Sequence, residues 1–222
     1  MLRLYDHRTG RTGDLPPGPV RVHVSGGAER ALVAADLLRR VAERGRLHPV
    51  VTRSPGAAPV HVAPGDLSVP EFETAPPPDG ALLVGPDGAS SLAVPFEDGD
   101  WWDAQARVGA DGDVLWVRLA MLRARYRDPV DVAGLGPAAR DDLARWRSLV
   151  AGWARGPGRP LHRAYVAEAE AALADDLDSP AALAVLDRLA DDPGVPDGAK
   201  LESFIHLDLV LGLNLVAHIG RP

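Results

Sequence analysis

Cysteine is absent from all 222 residues. The chain therefore has no disulfide, no thiolate to hold a metal and no thiol nucleophile. Lysine is nearly absent too: Lys200 stands alone beside 23 arginines. Together with 21 prolines and 23 glycines, that usage reads as coding bias, not functional demand. No apolar run approaches the roughly 20 residues needed to cross a bilayer, and the N-terminus lacks an apolar signal core. A cytoplasmic protein with no membrane partner is expected. The formal charge of −7 opposes long-range attraction to a polyanion, which disfavours nucleic acid as a partner. What remains is an ordinary soluble composition, 46% hydrophobic and 25% charged, on a chain long enough for one large domain or two small ones.

The pattern divides near residue 110. Val20, Val22 and Val24 alternate with Arg21 and His23 as in a strand with one buried face. Ser25-Gly26-Gly27 turns the chain, residues 28 to 44 read as a helix with Gly45 as its stop, and Val50-Val51-Thr52 supplies a second strand. Strand, helix and strand on this spacing make a βαβ crossover, the unit of a parallel sheet. Residues 53 to 80 are rich in Pro and Gly and read as a loop holding one short strand, Val60-His61-Val62. Ala81-Leu82-Leu83-Val84 and Ser91-Leu92-Ala93-Val94 flank Pro86-Asp87-Gly88, which predicts a hairpin.

Five helical stripes follow. Leu115, Leu119 and Leu122 mark the first; Leu143, Trp146, Val150 and Trp153 mark the second, starting near Pro137. Leu161, Tyr165, Ala169 and Leu173 form the third stripe. Ser179 as N-cap with Pro180 opens the fourth, which Pro193 ends, and Leu201, Phe204, Ile205 and Leu209 mark the fifth. Short connections predict an antiparallel bundle. The expected fold is α/β plus all-α: a reduced Rossmann-like parallel sheet over residues 1–110, then a helical bundle over residues 111–222.

Chemistry-bearing patterns are few. The strand–glycine–helix junction at Ser25, Gly26 and Gly27 offers a helix N-terminus to an anion, although a Gly-Gly turn after a strand is usually only a turn. Trp101 and Trp102 would stack on a base or anchor a protein partner, or else fill a domain seam. Asp175-Asp176 and Asp191-Asp192 read as solvated turns between helices. The seven histidines are scattered, with no pair at zinc-site spacing.

Several runs, taken in order, resemble framework segments of the cysteinyl-tRNA synthetases, a class I synthetase family. They are Leu2-Arg3-Leu4-Tyr5-Asp6, Gly27-Ala28-Glu29-Arg30, Arg125-Tyr126-Arg127-Asp128-Pro129-Val130-Asp131, the run from Asp175 through Pro180 to Leu186, and Leu207-Asp208-Leu209-Val210-Leu211-Gly212-Leu213. In that family a Tyr-Val-Cys-Gly-like strand end supplies a zinc-binding cysteine, and a His-Ile-Gly-His-like signature opens the next helix. Here His23-Val24-Ser25-Gly26 resembles the strand end with Ser25 in the cysteine's place. Ala28 replaces the second signature residue, and the loop with the first histidine is missing. Ser91 through Asp98 resembles a second zinc-binding segment, with Phe96 where a histidine would ligate. Residues 101 to 110 lack the lysines of the ATP-closing loop, leaving Arg107 alone.

The resemblance implies that the family's catalytic residues are lost and no zinc is bound. Should ATP still bind, Ser25, Gly26, Gly27 and Arg30 are the residues that would meet it. Three readings stay open: a degenerate paralogue that binds a protein, a second copy of itself or tRNA; an ATP-dependent ligase for cysteine or a related small acid, as in the family's mycothiol branch; and a structural remnant. The joint loss of signature histidines, zinc cage and lysine loop favours the first, with Trp101 and Trp102 as partner anchors and a protein favoured over tRNA.

Overall fold

A computed structural model describes residues 1–15, 18–26, 28–55, 62–86, 88–95 and 113–220. The chain opens with an antiparallel pair, β1 (Arg3–Asp6) and β2 (Arg11–Asp14). A five-stranded sheet follows, built from β3 (Pro19–Val24), β4 (His48–Arg53), β5 (Glu73–Thr74), β6 (Leu82–Gly85) and β7 (Leu92–Ala93). Its order is β5-β4-β3-β6-β7 and every pairing is parallel. Helix α1 (Glu29–Arg44) makes the crossover from β3 to β4, as the βαβ spacing predicts.

Register explains which side chains are covered. Val22 lies opposite Val51 and Val24 opposite Arg53, and Val22, Val24 and Val84 are fully buried beneath α1. Helix α1 is buried over most of its circumference, from Ala31 and Leu32 to Leu38 and Ala42. The sheet packs on one side of it and the later helices on the other. Edge strands β5 and β7 are two residues each, which blunts the sheet against outside strands.

Five more helices complete the described residues: α2 (Leu115–Leu122), α3 (Val132–Trp153), α4 (Arg163–Ala174), α5 (Ser179–Asp191) and α6 (Asp197–Leu211). Trp146 and Trp153 meet Phe204 edge-on, at centroid distances of 6.2 and 5.1 Å. A Cβ on Gly136 would stand 2.8 Å from the Trp116 ring, so only glycine lets α2 and α3 approach so closely there. One apolar cluster runs from Leu2 through the sheet and α1 to Leu215. Among the described residues no helix is long and apolar enough to cross a membrane.

Three local expectations are corrected. Strands β6 and β7 pair in parallel, Val84 opposite Leu92, and not as a hairpin. Ser91 is the cause, because its hydroxyl accepts from Leu83 N and its carbonyl from His7 N, which turns the chain back alongside β6. Helix α3 begins at Val132, five residues before Pro137, because the Asp131 carboxylate accepts from Gly134 N at 2.8 Å. Asp178, not Ser179, caps α5 by accepting from Ala181 N. Gly45 does stop α1 as expected, with ordinary negative φ, and Arg46 takes the left-handed conformation after it. The expected strand at residues 60–62 falls largely outside the described residues, as do Gly27, Phe96, Trp101, Trp102 and Arg107.

Candidate functional site

The sheet order fixes where a ligand would sit. Chain connections leave β3 toward β4 on one side and return as β6 on its other side. In open parallel sheets the crevice beyond the C-terminal ends of two such strands is the usual binding place. Val24 and Gly85 end those strands, and Ser25 and Gly26 follow Val24 directly. Gly26 has φ +100°, a conformation other residues rarely adopt. Helix α1 starts just beyond, and no side chain caps its N-terminus at Ala28.

The crevice is narrow at its floor. Ser25 donates from its hydroxyl to Val84 O at 3.2 Å and from its backbone to the same oxygen at 2.9 Å. A Cβ added to Gly85 would stand 2.2 Å from Ser25 Oγ and 2.7 Å from Ser90 Oγ. The two hydroxyls therefore fill the space above Gly85. Ser25 is thus bonded across the sheet in the position where the family resemblance puts a cysteine. No three His, Cys, Asp or Glu side chains gather into a metal-holding group among the described residues. Ser25 and its neighbours do not fit a zinc cage, which calls for thiolate or imidazole ligands.

His23 lies behind this floor on β3 and is buried. Its Nδ1 is 2.9 Å from Thr52 Oγ1 and its Nε2 2.9 Å from Ser54 Oγ. Burial holds its pKa below the ordinary histidine value, so it is neutral at neutral pH. Sequence reasoning missed this line of hydroxyl, imidazole and hydroxyl. The signal was present in the register, since His23 pairs with Thr52 across parallel strands.

Arg30 does not join Ser25. Its Nη2 donates to Arg125 O at 2.7 Å, tying the first turn of α1 to the chain after α2. That contact belongs to a wider pattern in which the framework segments converge. Asp176 Oδ1 accepts from Tyr5 N and from Tyr126 Oη, both at 2.8 Å. Arg127 Nη1 lies 3.1 Å from Asp176 Oδ2, and Arg125 pairs with Asp178. Asp176 is 6% exposed, so of the Asp175-Asp176 run, expected to be a solvated turn, Asp175 alone faces solvent. Left-handed φ at both Asp176 and Leu177 rotates the Asp176 carboxylate inward. The Tyr126 hydroxyl is raised above its ordinary pKa by burial, then by Asp176. It remains a donor at every physiological pH.

The resembling segments around Tyr5, Tyr126 and Asp176 are therefore scaffold, and Ser25, altered against the resemblance, sits on the floor of the crevice. No family model matches the chain. Curated relatives do. Over 119 residues it is 36% identical to the L-cysteine:1D-myo-inositol 2-amino-2-deoxy-alpha-D-glucopyranoside ligase of Streptosporangium roseum, covering 50% of this chain and 27% of that protein. The ligase of the same description from Streptomyces griseus is 40% identical over 114 residues, 49% of this chain and 26% of the relative. The cysteine–tRNA ligase of Paracoccus denitrificans is 38% identical over 105 residues, 46% of this chain and 21% of the relative. The chain thus spans about a quarter of the length of the curated relatives it matches. Over half its own length, it is homologous to the cysteinyl-tRNA synthetase family, these cysteine ligases included.

Proposed function

We propose that this chain is a synthetase-derived pseudoenzyme of the cytoplasm that does not activate an amino acid and acts by binding a protein, a second copy of itself included. The observation carrying the reading is the exposure of Val50. This residue sits on β4, an inner strand, and is 56% exposed. It points away from Val51 and hence away from α1, beside exposed Arg21 on β3. Parallel sheets are normally covered on both faces, and α1 is the helix packed on this sheet among the described residues. With Pro19, Arg21 and His48 exposed beside Val50, this end of the face is left open to a partner. Trp101 and Trp102 are offered as further anchors of that partner. The charge of −7 favours a protein over tRNA.

A second reading, ATP-dependent ligation of cysteine or a related small acid, draws on one feature. The N-terminus of α1 beside Gly26, where Ala28 supplies no side-chain cap, is offered as a backbone anion site that needs no signature side chain. Ser25, Gly26, Gly27 and Arg30 are the residues proposed to meet ATP in that case.

Two assays separate the readings. Light scattering and pull-downs on wild type, Val50→Arg and the double variant Trp101→Ala, Trp102→Ala should give a complex that both changes weaken. Cysteine-dependent ATP–pyrophosphate exchange should stay at background. Exchange above background, abolished by Gly26→Trp, promotes the ligase. A monomer at high concentration that captures no protein, yet binds tRNA at physiological salt, reverses the choice of partner.

A further inference from the structure

Far from the crevice, at the N-terminal end of the sheet, lies a second hollow, half open to solvent. The C-terminus of α1, the β1–β2 pair and helices α4 and α6 surround a cavity of about 400 Å³. Its walls include Leu15, Val41, Leu47, Leu173, Ala174 and Val210, and exposed Met1 lies at its mouth. Close-packed interiors hold few voids larger than a water molecule, whereas small-molecule sites begin at about 300 Å³. The volume of this half-open cavity falls within the range of small-molecule sites.

Polar groups at the rim are bonded to each other. Arg44 Nε donates to Glu170 Oε1 at 2.8 Å, and Arg44 Nη2 donates to His206 Nδ1 at 2.7 Å. Since Nδ1 accepts, the His206 proton sits on Nε2, which donates to Glu170 Oε1 at 3.0 Å. Burial, then the Arg44 charge, holds His206 below its ordinary pKa, so the ring stays neutral at neutral pH. The closed ring therefore carries one positive and one negative charge and no excess of either sign. An anionic head group would have to displace Glu170 from Arg44, and a cationic one Arg44 from Glu170. Either exchange breaks a charge-assisted pair. Apolar walls and an Arg44–Glu170 pair already bonded to each other match an uncharged ligand.

We infer that this cavity binds an uncharged, largely apolar small molecule, held between α1 and the helices α4 and α6. The occupant touches both the sheet layer and the bundle, so it stabilises their contact by mass action. The site does not depend on the crevice and holds whether or not the chain activates an amino acid.

N-phenyl-1-naphthylamine, a neutral apolar dye, is the probe. Wild type should give a saturable, single-site gain in its fluorescence and a higher Tm at saturation. Ala174→Trp and Leu47→Trp fill the cavity from two different walls, and each should weaken the dye tenfold or more in a folded protein. Val216→Trp, on another surface, should leave binding unchanged. Absence of a saturable signal with folded wild type overturns the site, as does wild-type affinity in both filled variants. Tighter binding of the anionic analogue 1-anilinonaphthalene-8-sulfonate overturns the choice of an uncharged ligand.

Discussion

Asp36 and Arg118 form an ion pair in which neither side chain has any exposed surface, with 2.8 Å between Oδ2 and Nη2. The pair joins the middle of α1 to the middle of α2. Arg118 also donates from Nε to Leu211 O at 2.6 Å and from Nη1 to Leu67 O at 2.9 Å. One guanidinium thus binds α1, the 3₁₀ turn at Pro64–Leu67, α2 and the end of α6. Burial lowers its pKa to about 10, which leaves it charged at neutral pH. Asp36 has further partners in Arg39 and Arg40, both reaching solvent.

The two halves of this pair are therefore unequal. Asp36→Ala strips buried Arg118 of its paired carboxylate and leaves only the more distant charge of Asp208, a change that costs about 3–5 kcal/mol. Arg118→Met leaves Asp36 with Arg39 and Arg40, and the loss should be about half as large. Urea unfolding of the two variants measures the difference. Equal losses would mean that Arg39 and Arg40 do not compensate Asp36.

Tyr126 makes a simpler case. Its hydroxyl donates to Asp176 Oδ1 inside the joint between β1, the chain after α2 and the α4–α5 turn. Tyr126→Phe keeps the ring and removes that donor, which should lower stability by about 1–3 kcal/mol in chemical denaturation. Unchanged stability would reduce the converging framework to a coincidence of packing.

How far the sequence discloses this fold depends on the range of the interactions involved. The β3–α1–β4 unit is legible because its apolar positions repeat at strand and helix periods. The β1–β2 pair is not, since Arg11-Thr12-Gly13-Asp14 is exposed at every position and shows no alternation. Pro86-Asp87-Gly88 looks like a hairpin turn locally, but the Ser91 bonds to Leu83 and His7 decide the pairing. Asp178 and Ser179 are both good caps, and only the backbone geometry chooses between them. At the crevice, the exchange of cysteine for Ser25 is readable through the resemblance. The approach of Ser90 to Gly85 depends on a loop fold that no local pattern specifies. Arg30, named for ATP through the resemblance, donates from Nη2 to a carbonyl 95 residues away, a contact no local pattern shows.

Gly85 gives a direct test of the crowded crevice floor. Gly85→Ala would bring a methyl group against Ser25 Oγ and Ser90 Oγ, and overpacking of this kind costs about 1–3 kcal/mol. Adding Ser25→Gly removes the nearest atom and should recover much of the loss, as measured by thermal melts of the single and double variants. A Gly85→Ala protein as stable as wild type would show that the crevice has room to open.

Acid should loosen this protein through two histidines. His23 and His206 both have pKa values held below the ordinary 6.5, each chiefly by burial. In the unfolded chain they take up protons near pH 6.5, while in the folded chain they resist until lower pH. Between those points the unfolded state binds more protons, so stability rises with pH and falls on acidification. The stabilising contribution is present above about pH 6.5 and is lost as pH drops through the folded-state values, with a slope of at most about 1.4 kcal/mol per pH unit for each histidine. Asp208 acts in the opposite sense, because burial raises its pKa and protonation relieves a desolvated charge. Comparing variants at fixed pH isolates the histidines from that carboxyl. Urea unfolding at pH 7.5 and 5.5 should show wild type losing stability at the lower pH. His23→Asn and His206→Asn should each flatten the dependence while lowering stability at pH 7.5. A wild-type profile that is level over this range, or equally steep in both variants, would place the acid sensitivity elsewhere.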